Sequence, residues 1–151
     1  MNELTAPSDK ATARMPVRSH RHRFRVIYGD TDRMGVVYYA NYLRFFEAGR
    51  TELLRAAGID YRQMEAEGAL LPVAEAHAKY RAPAGYDDEL ELETAVAHVG
   101  TSSIRIRYEL RRVSDGVLIA TGETKHACVN ADGRVIRMPE FVRERLEAEW
   151  S

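Results

Sequence analysis

Residues 28–58 read YGDTDRMGVVYYANYLRFFEAGRTELLRAAG, a stretch in which an alternating pattern stops at an acidic turn and becomes a helical one. From Val37 to Ala57, the residues Tyr38, Tyr42, Phe45, Phe46, Gly49, Leu53, Leu54 and Ala57 recur at three- and four-residue steps, the period of an amphipathic helix. Arg44, Glu47, Arg50, Glu52 and Arg55 take the other side. Gly49 falls on or beside the apolar stripe, where it costs roughly 1 kcal/mol relative to Ala, so a strand or another backbone is expected to pass close by. Gly58 is placed as a C-cap. Upstream, Arg21 to Tyr28 alternates, with Phe24, Val26 and Tyr28 on one face and Arg23, Arg25 and Ile27 on the other, which is the pattern of a half-buried strand.

Chemistry concentrates where strand meets helix. Asp30 and Asp32 sit on the loop, Met34-Gly35 turns the backbone, and Val36 to Tyr39 lead into a helix whose first amides lack intrahelical acceptors. A carboxylate beside free, positively polarised N–H groups suits attack on a carbonyl carbon. It supplies the electron pair or deprotonates water, and the amides hold the oxyanion. Spacing alone leaves a second reading of Asp32 as a helix cap or turn former. Asp30 is read as structural, holding the turn by side-chain-to-backbone hydrogen bonds.

Downstream, a short segment, IDYRQMEAEG, precedes four strand patterns: Leu71 to Tyr80, Glu89 to Val99, Ser103 to Arg112 and Val117 to Asn130. In the third of these, Ile104, Ile106, Tyr108 and Leu110 alternate with Arg105, Arg107, Glu109 and Arg111. Ser114-Asp115-Gly116 is a hairpin turn, and Pro83, Gly85 and Tyr86-Asp87-Asp88 form a loop. Pro139 opens a tail helix with Phe141, Val142, Leu146 and Trp150. Short links make the pairing antiparallel. The fold class is therefore α+β: a five-stranded antiparallel sheet wrapped around one long helix. Its open edges and residual apolar surface favour a homodimer in which two sheets join, with sites at the subunit boundary.

The 151 residues fit a tail over 1–20, which has no apolar period, and one domain over 21–151. Lys and Arg total 22 against 23 Asp and Glu, a formal net charge of -1, so the whole-chain field suits neither nucleic acid nor a membrane surface. Cys128 is the sole cysteine, no apolar run reaches the roughly 18 residues of a membrane span, and the first residues lack a signal-peptide core; a cytoplasmic location is the default. DTDRMG departs from a calcium loop, with Met34 at the fifth position and Asn41 at the twelfth. His20, His22, His77, His98 and His126 show no ligand spacing, and no zinc set or other cofactor is expected. No G-x-S-x-G elbow or phosphate-binding glycine loop occurs.

The stretch GDTDRMGVVYYANYLRFFEAGRTELLR resembles the signature of the hot-dog-fold acyl-CoA thioesterases related to 4-hydroxybenzoyl-CoA thioesterase, and YRAPAGYDDELELET and DGRVIRMPE extend the likeness over roughly Arg23 to Pro139. The resemblance implies acyl-CoA as substrate, hydrolysed to free acid and CoA. It implies Asp32 as nucleophile or general base, and Tyr39 as donor of a backbone N–H to the thioester oxygen. Many bacterial relatives carry His where Tyr39 stands, so no imidazole base is available there. The substrate-binding set is Gly35, Val36, Tyr38, Asn41 and Tyr42, with Asn41 more readily structural and the tyrosines serving core and substrate wall together. HVGTSS at 98–103 lacks the cations by which the hydroxybenzoyl-CoA enzyme is thought to hold the nucleotide. Arg105, Arg107, Lys125 and Arg137 read as a solvated face with a lesser claim on CoA phosphates. In such a family a dimer is the minimum, and a dimer of dimers, a homotetramer, is common. The alternative is a non-catalytic acyl-CoA or acyl-carrier thioester binder with the same groove.

Overall fold

The computed structural model describes residues 18–147. The chain runs β1 (Ser19–Arg25), a 3-10 turn (Tyr28–Asp30), α1 (Asn41–Ala56), α2 (Tyr61–Ala66), β2 (Val73–Tyr80), β3 (Glu89–Val99), β4 (Ser103–Arg112), β5 (Leu118–Ala127) and α3 (Glu140–Glu147). The five strands make one antiparallel sheet in the order β1-β3-β4-β5-β2.

Alternation decides the sheet's two faces. Leu90, Leu92, Thr94 and Val96 of β3 and Ile104, Ile106, Tyr108 and Leu110 of β4 are buried beneath α1, with Ala120, Thr124 and His126 of β5 beside them. The other face is a charge lattice in which Arg21 meets Glu93, Arg23 meets Glu91 and Arg105 meets Glu123 across neighbouring strands. Such exposed pairs each stabilise by about 0–1 kcal/mol, so cohesion comes from the inner face.

α1 lies unusually close to that face. A Cβ at Gly49 would fall onto the Leu92 side chain and within 2.6 Å of Thr94 Oγ1, the close passage expected at this glycine. Phe46 stacks on Tyr108, ring centres 4.4 Å apart, and covers Gly122, where a Cβ would stand 2.8 Å from Phe46 Cζ and 2.9 Å from the His77 carbonyl oxygen.

Several boundaries differ from those expected. Residues 37–40 lie outside the helix: Val37 N–H donates to Ala84 O and Tyr38 N–H to Asp30 O, residues 39 and 40 then form a turn, and α1 begins at Asn41. β1 begins two residues earlier than expected, at Ser19, and ends at Arg25, so Tyr28 is exposed rather than buried. β2 and β5 are each trimmed at their ends. α3 buries Val142 and Leu146, and Trp150 lies outside the described residues. Gly58, at φ +78, closes the end of α1.

Short links did not place β2 beside β3. β2 pairs with β5, and residues 81–88 then cross to β3 past the end of β4. β2 is consequently an edge strand, exposed over seven of its eight residues.

A Gly49→Ala substitution separates propensity from packing. Helix propensity alone would stabilise by about 1 kcal/mol, whereas overpacking against Leu92 and Thr94 costs about 1–3 kcal/mol. The expected result is a lower urea midpoint with an unchanged m-value, and a raised midpoint would show that the gap can open.

Candidate active site

The loop between β1 and α1 stands on Asp30. This carboxylate is buried, accepts Ile27 N–H at 2.9 Å through Oδ2 and pairs with Arg44 through Oδ1. Its backbone carbonyl receives Tyr38 N–H and the Asn41 side-chain amide, each at 2.9 Å. Asp30 thus has the structural role expected of it, and the Asn41 side chain is a strut under the loop.

Asp32 sits one turn further out and half-buried. Its N–H donates to Val36 O at 2.9 Å, its carbonyl accepts Gly35 N–H at 3.0 Å, and Oδ1 accepts Met34 N–H at 2.8 Å. Gly35 makes this tight reversal at φ +82, a left-handed conformation that costs glycine little. Oδ2 meets no protein donor among the described residues, so one carboxylate oxygen is held and the other is free.

Tyr38 and Tyr39 follow, both exposed, with ring centres 4.9 Å apart. The Tyr39 and Ala40 N–H groups have no protein acceptor among the described residues and precede the first turn of α1, where the helix dipole favours negative charge. Tyr39 is therefore not inside a helix that starts at about Val37, as the periodicity implies, but belongs to the turn ahead of α1. Val36 bridges to Gly85. Tyr42 is buried, and burial pushes its phenol up, so it contributes a ring edge rather than an accessible hydroxyl.

The sequence reading missed Tyr80. At the end of β2 its ring lies 5.3 Å from Tyr42 and 6.2 Å from Tyr39, and its hydroxyl donates to the Tyr39 carbonyl at 3.4 Å. Only the folded position of the edge strand brings it here. A groove of about 610 Å³ lies elsewhere, between α1 and β1, lined by Phe24, Arg25, Asp30, Arg44, Phe45 and Ala48 among others. Asp32 and Tyr39 are outside it, with Tyr39 exposed beside Tyr80 at the β2 edge.

Beneath the helix runs a polar chain that periodicity also concealed. Arg50, expected on the wet side, is half-buried and donates to the Tyr108 hydroxyl at 3.4 Å. Tyr108 is 2.7 Å from Thr124 Oγ1, which is 2.9 Å from His126 Nε2, and His126 Nδ1 lies 3.0 Å from Leu71 O. The Leu71 carbonyl only accepts, so His126 carries a proton on Nδ1. In the neutral ring Nε2 then accepts from Thr124, which accepts from Tyr108, and every link is satisfied. Burial, then the Arg50 charge, hold its pKa below the ordinary range. Inward-facing Thr124 and His126 on a strand otherwise lined by small and apolar residues were the available signal.

Burial pushes the Cys128 thiol up, which leaves it protonated and unsuited to nucleophilic work. Among the described residues no His, Cys, Asp and Glu cluster is placed to hold a metal ion, and no helix is long and apolar enough to cross a membrane.

A curved antiparallel sheet around a central helix, with a carboxylate loop leading into that helix, defines the hot-dog class. The chain matches the description of the thioesterase-like superfamily over residues 26–146 and belongs to that family. An Escherichia coli acyl-CoA thioester hydrolase, YbgC, is 34% identical over 106 residues, 70% of this chain and 78% of its own. The 1,4-dihydroxy-2-naphthoyl-CoA hydrolase of Synechococcus elongatus is 33% identical over 129 residues, 83% and 90% respectively. A variant of 4-hydroxybenzoyl-CoA thioesterase, complexed with 4-hydroxybenzoyl-CoA, superposes with a TM-score of 0.78 at 26% identity, covering 86% of this chain and 99% of its own. The protein is a thioesterase-class enzyme.

The state of His126 makes stability depend on pH. Its folded pKa is lowered from 6.5, so the unfolded chain binds more protons once pH falls below that value. Stability is expected to decline from there down to the folded pKa, by at most about 1.4 kcal/mol per pH unit from this one proton. Urea titrations across this range should show a shallower decline for His126→Gln. An identical slope in both proteins would mean that His126 does not contribute.

Proposed function

We propose that this protein hydrolyses acyl-CoA thioesters to free acid and CoA, with Asp32 at the reacting carbon and the N–H groups ahead of α1 as the oxyanion hole. The observation that carries this reading is that one short loop, closed by Asp32 N–H to Val36 O, bears both a carboxylate with an oxygen that meets no donor among the described residues and the acceptor-free amides of Tyr39 and Ala40. Charge that develops on the thioester oxygen is met by those amides and by the positive end of α1. As nucleophile, Asp32 forms a C–O bond to the carbonyl carbon while the C–S electron pair leaves with CoA, whose thiolate takes up a proton. Water then cleaves the mixed anhydride and restores Asp32. As general base, Asp32 instead takes a proton from the attacking water. Turnover in heavy-oxygen water tests the first route, because label enters Asp32 only when water attacks the Asp32 carbonyl carbon of the mixed anhydride.

Gly35 and Val36 shape the turn that presents Asp32, Tyr38 borders the substrate, Tyr42 backs the aromatic wall, and Asn41 holds the loop. The Tyr38, Tyr39 and Tyr80 rings lie on the surface next to the unpaired β2 edge. An eight-residue exposed edge is a template for antiparallel addition of a second strand. We read the working enzyme as a homodimer joined along β2, or a dimer of such dimers, whose second protomer covers the open side of the site. Sedimentation should show a species of at least twice the 17.1 kDa chain mass, and an active monomer would overturn this.

The direct test is thiol release from a panel of aliphatic and aromatic acyl-CoAs. Asp32→Asn should retain fold and assembly and lose on the order of 10² or more in turnover. Near-wild-type turnover would remove Asp32 from the chemistry, and tight binding without hydrolysis in wild type would favour a binder.

A further inference from the structure

Asp32 is held by a loop that is itself held by another. Asp32 N–H donates to Val36 O, Val36 bridges to Gly85, and Val37 N–H donates to Ala84 O at 2.8 Å. Gly85 and Ala84 belong to the crossover of residues 81–88, which passes from edge strand β2 to β3. Gly85 also lies against the catalytic turn, where a Cβ would make ordinary van der Waals contact with the Gly35 carbonyl oxygen at 3.7 Å. The position of the catalytic turn is therefore the position of the crossover.

The crossover is tied down at three places, the first at its start, where Arg81 and Ala82 N–H both donate to Ile119 O of β5, at 2.8 and 3.2 Å. On the β1 side, Asp87 adopts φ 69, an uncommon conformation for a non-glycine residue, while its N–H donates to Val26 O and its carbonyl accepts from Arg25 at 2.9 Å. On the β4 side the tie is a single side chain. Arg112, the last residue of β4, donates to Pro83 O at 3.0 Å and lies 3.6 Å from Asp88 Oδ2, which itself accepts Gly85 N–H at 2.8 Å. Its Nε donates to both Asp115 oxygens at 3.1 Å, so the guanidinium is oriented by the β4–β5 hairpin before it reaches the crossover. A planar fork with fixed donor directions can serve the hairpin and the loop together, and a lysine ammonium cannot.

We propose that Arg112 is a positioning residue for the catalytic loop: it locks the 81–88 crossover to the end of β4 and thereby sets where Asp32 and the Tyr39 amide stand. The inference rests on the thioesterase reading for its catalytic consequence but not for its structural one. Arg112 touches no reacting atom. Its replacement should displace the turn by a small amount, and misplacement of about 1 Å can cost on the order of 10²-fold in rate.

The experiment compares Arg112→Gln, Arg112→Lys and Asp115→Asn with Arg111→Gln, whose side chain meets Glu109 and the Gly116 carbonyl of the hairpin but not the crossover. Amide hydrogen exchange at Val37 and Asp32 is followed alongside steady-state thiol release. Both Arg112 variants should speed exchange at these two amides and lower kcat at least tenfold, with KM within about twofold. Asp115→Asn should move both readings in the same direction by less, and Arg111→Gln should move neither. If Arg112→Gln unfolds, Asp115→Asn carries the test alone. Unchanged protection of Val37 in a folded Arg112 variant, or in Asp115→Asn where that variant must serve, would overturn the proposal whether or not the enzyme turns over. Absence of hydrolysis in wild type would instead count against the thioesterase reading, and the exchange result would still decide the role of Arg112.

Discussion

The structure depends on how near α1 can come to the sheet. Glycine at 49 lets the helix settle onto Leu92 and Thr94, and glycine at 122 lets Phe46 lie flat over β5 while stacking on Tyr108. Dispersion attraction falls off within an ångström of extra gap, so this seat fixes the helix on the sheet rather than merely attracting it. Once α1 is seated, its N-terminus has one position, and the turn that precedes it inherits that position. The placement of the loop that carries Asp32 thus depends in part on how α1 packs on the sheet.

Two acidic residues in one loop have divided the labour by environment. Asp30 is enclosed, with an arginine and a backbone amide on its oxygens, and behaves as a post. Asp32 keeps an oxygen open to the surface. A carboxylate with every lone pair satisfied has nothing left for a substrate, and one with none satisfied has no fixed aim. Asp32, whose side chain among the described residues accepts only Met34 N–H, lies between these two states.

Where a residue's role followed from its own neighbours in sequence, it could be read early. The stripe on α1, the four later strands, the close passage at Gly49 and the post-like Asp30 all come from local period or turn chemistry. What stayed hidden depended on the strand order. Nothing in residues 71–99 says that β2 goes to the far edge and that its link must cross β4, so Tyr80, Ala84 and Arg112 gave no sign of belonging near the loop. The helix start differs for a related reason: residues 37–40 continue the apolar period, but Ala84 and Asp30 offer their carbonyls to the Val37 and Tyr38 amides and keep these two residues out of the helix. Arg50 looked wet because charge was taken as a marker of the outer face, while its length lets it reach Tyr108 beneath the helix.

The chain from Arg50 to the Leu71 carbonyl has a consequence for alternative packings. A compact rival in which α1 slid one turn, about 5.4 Å, along the sheet would still match apolar surface to apolar surface. It would strand the Tyr108, Thr124 and His126 polar atoms without partners, at about 1–3 kcal/mol for each buried orphan. The chain therefore acts less by deepening the native basin than by raising its neighbours, and it widens the energy gap that makes folding to one arrangement reliable.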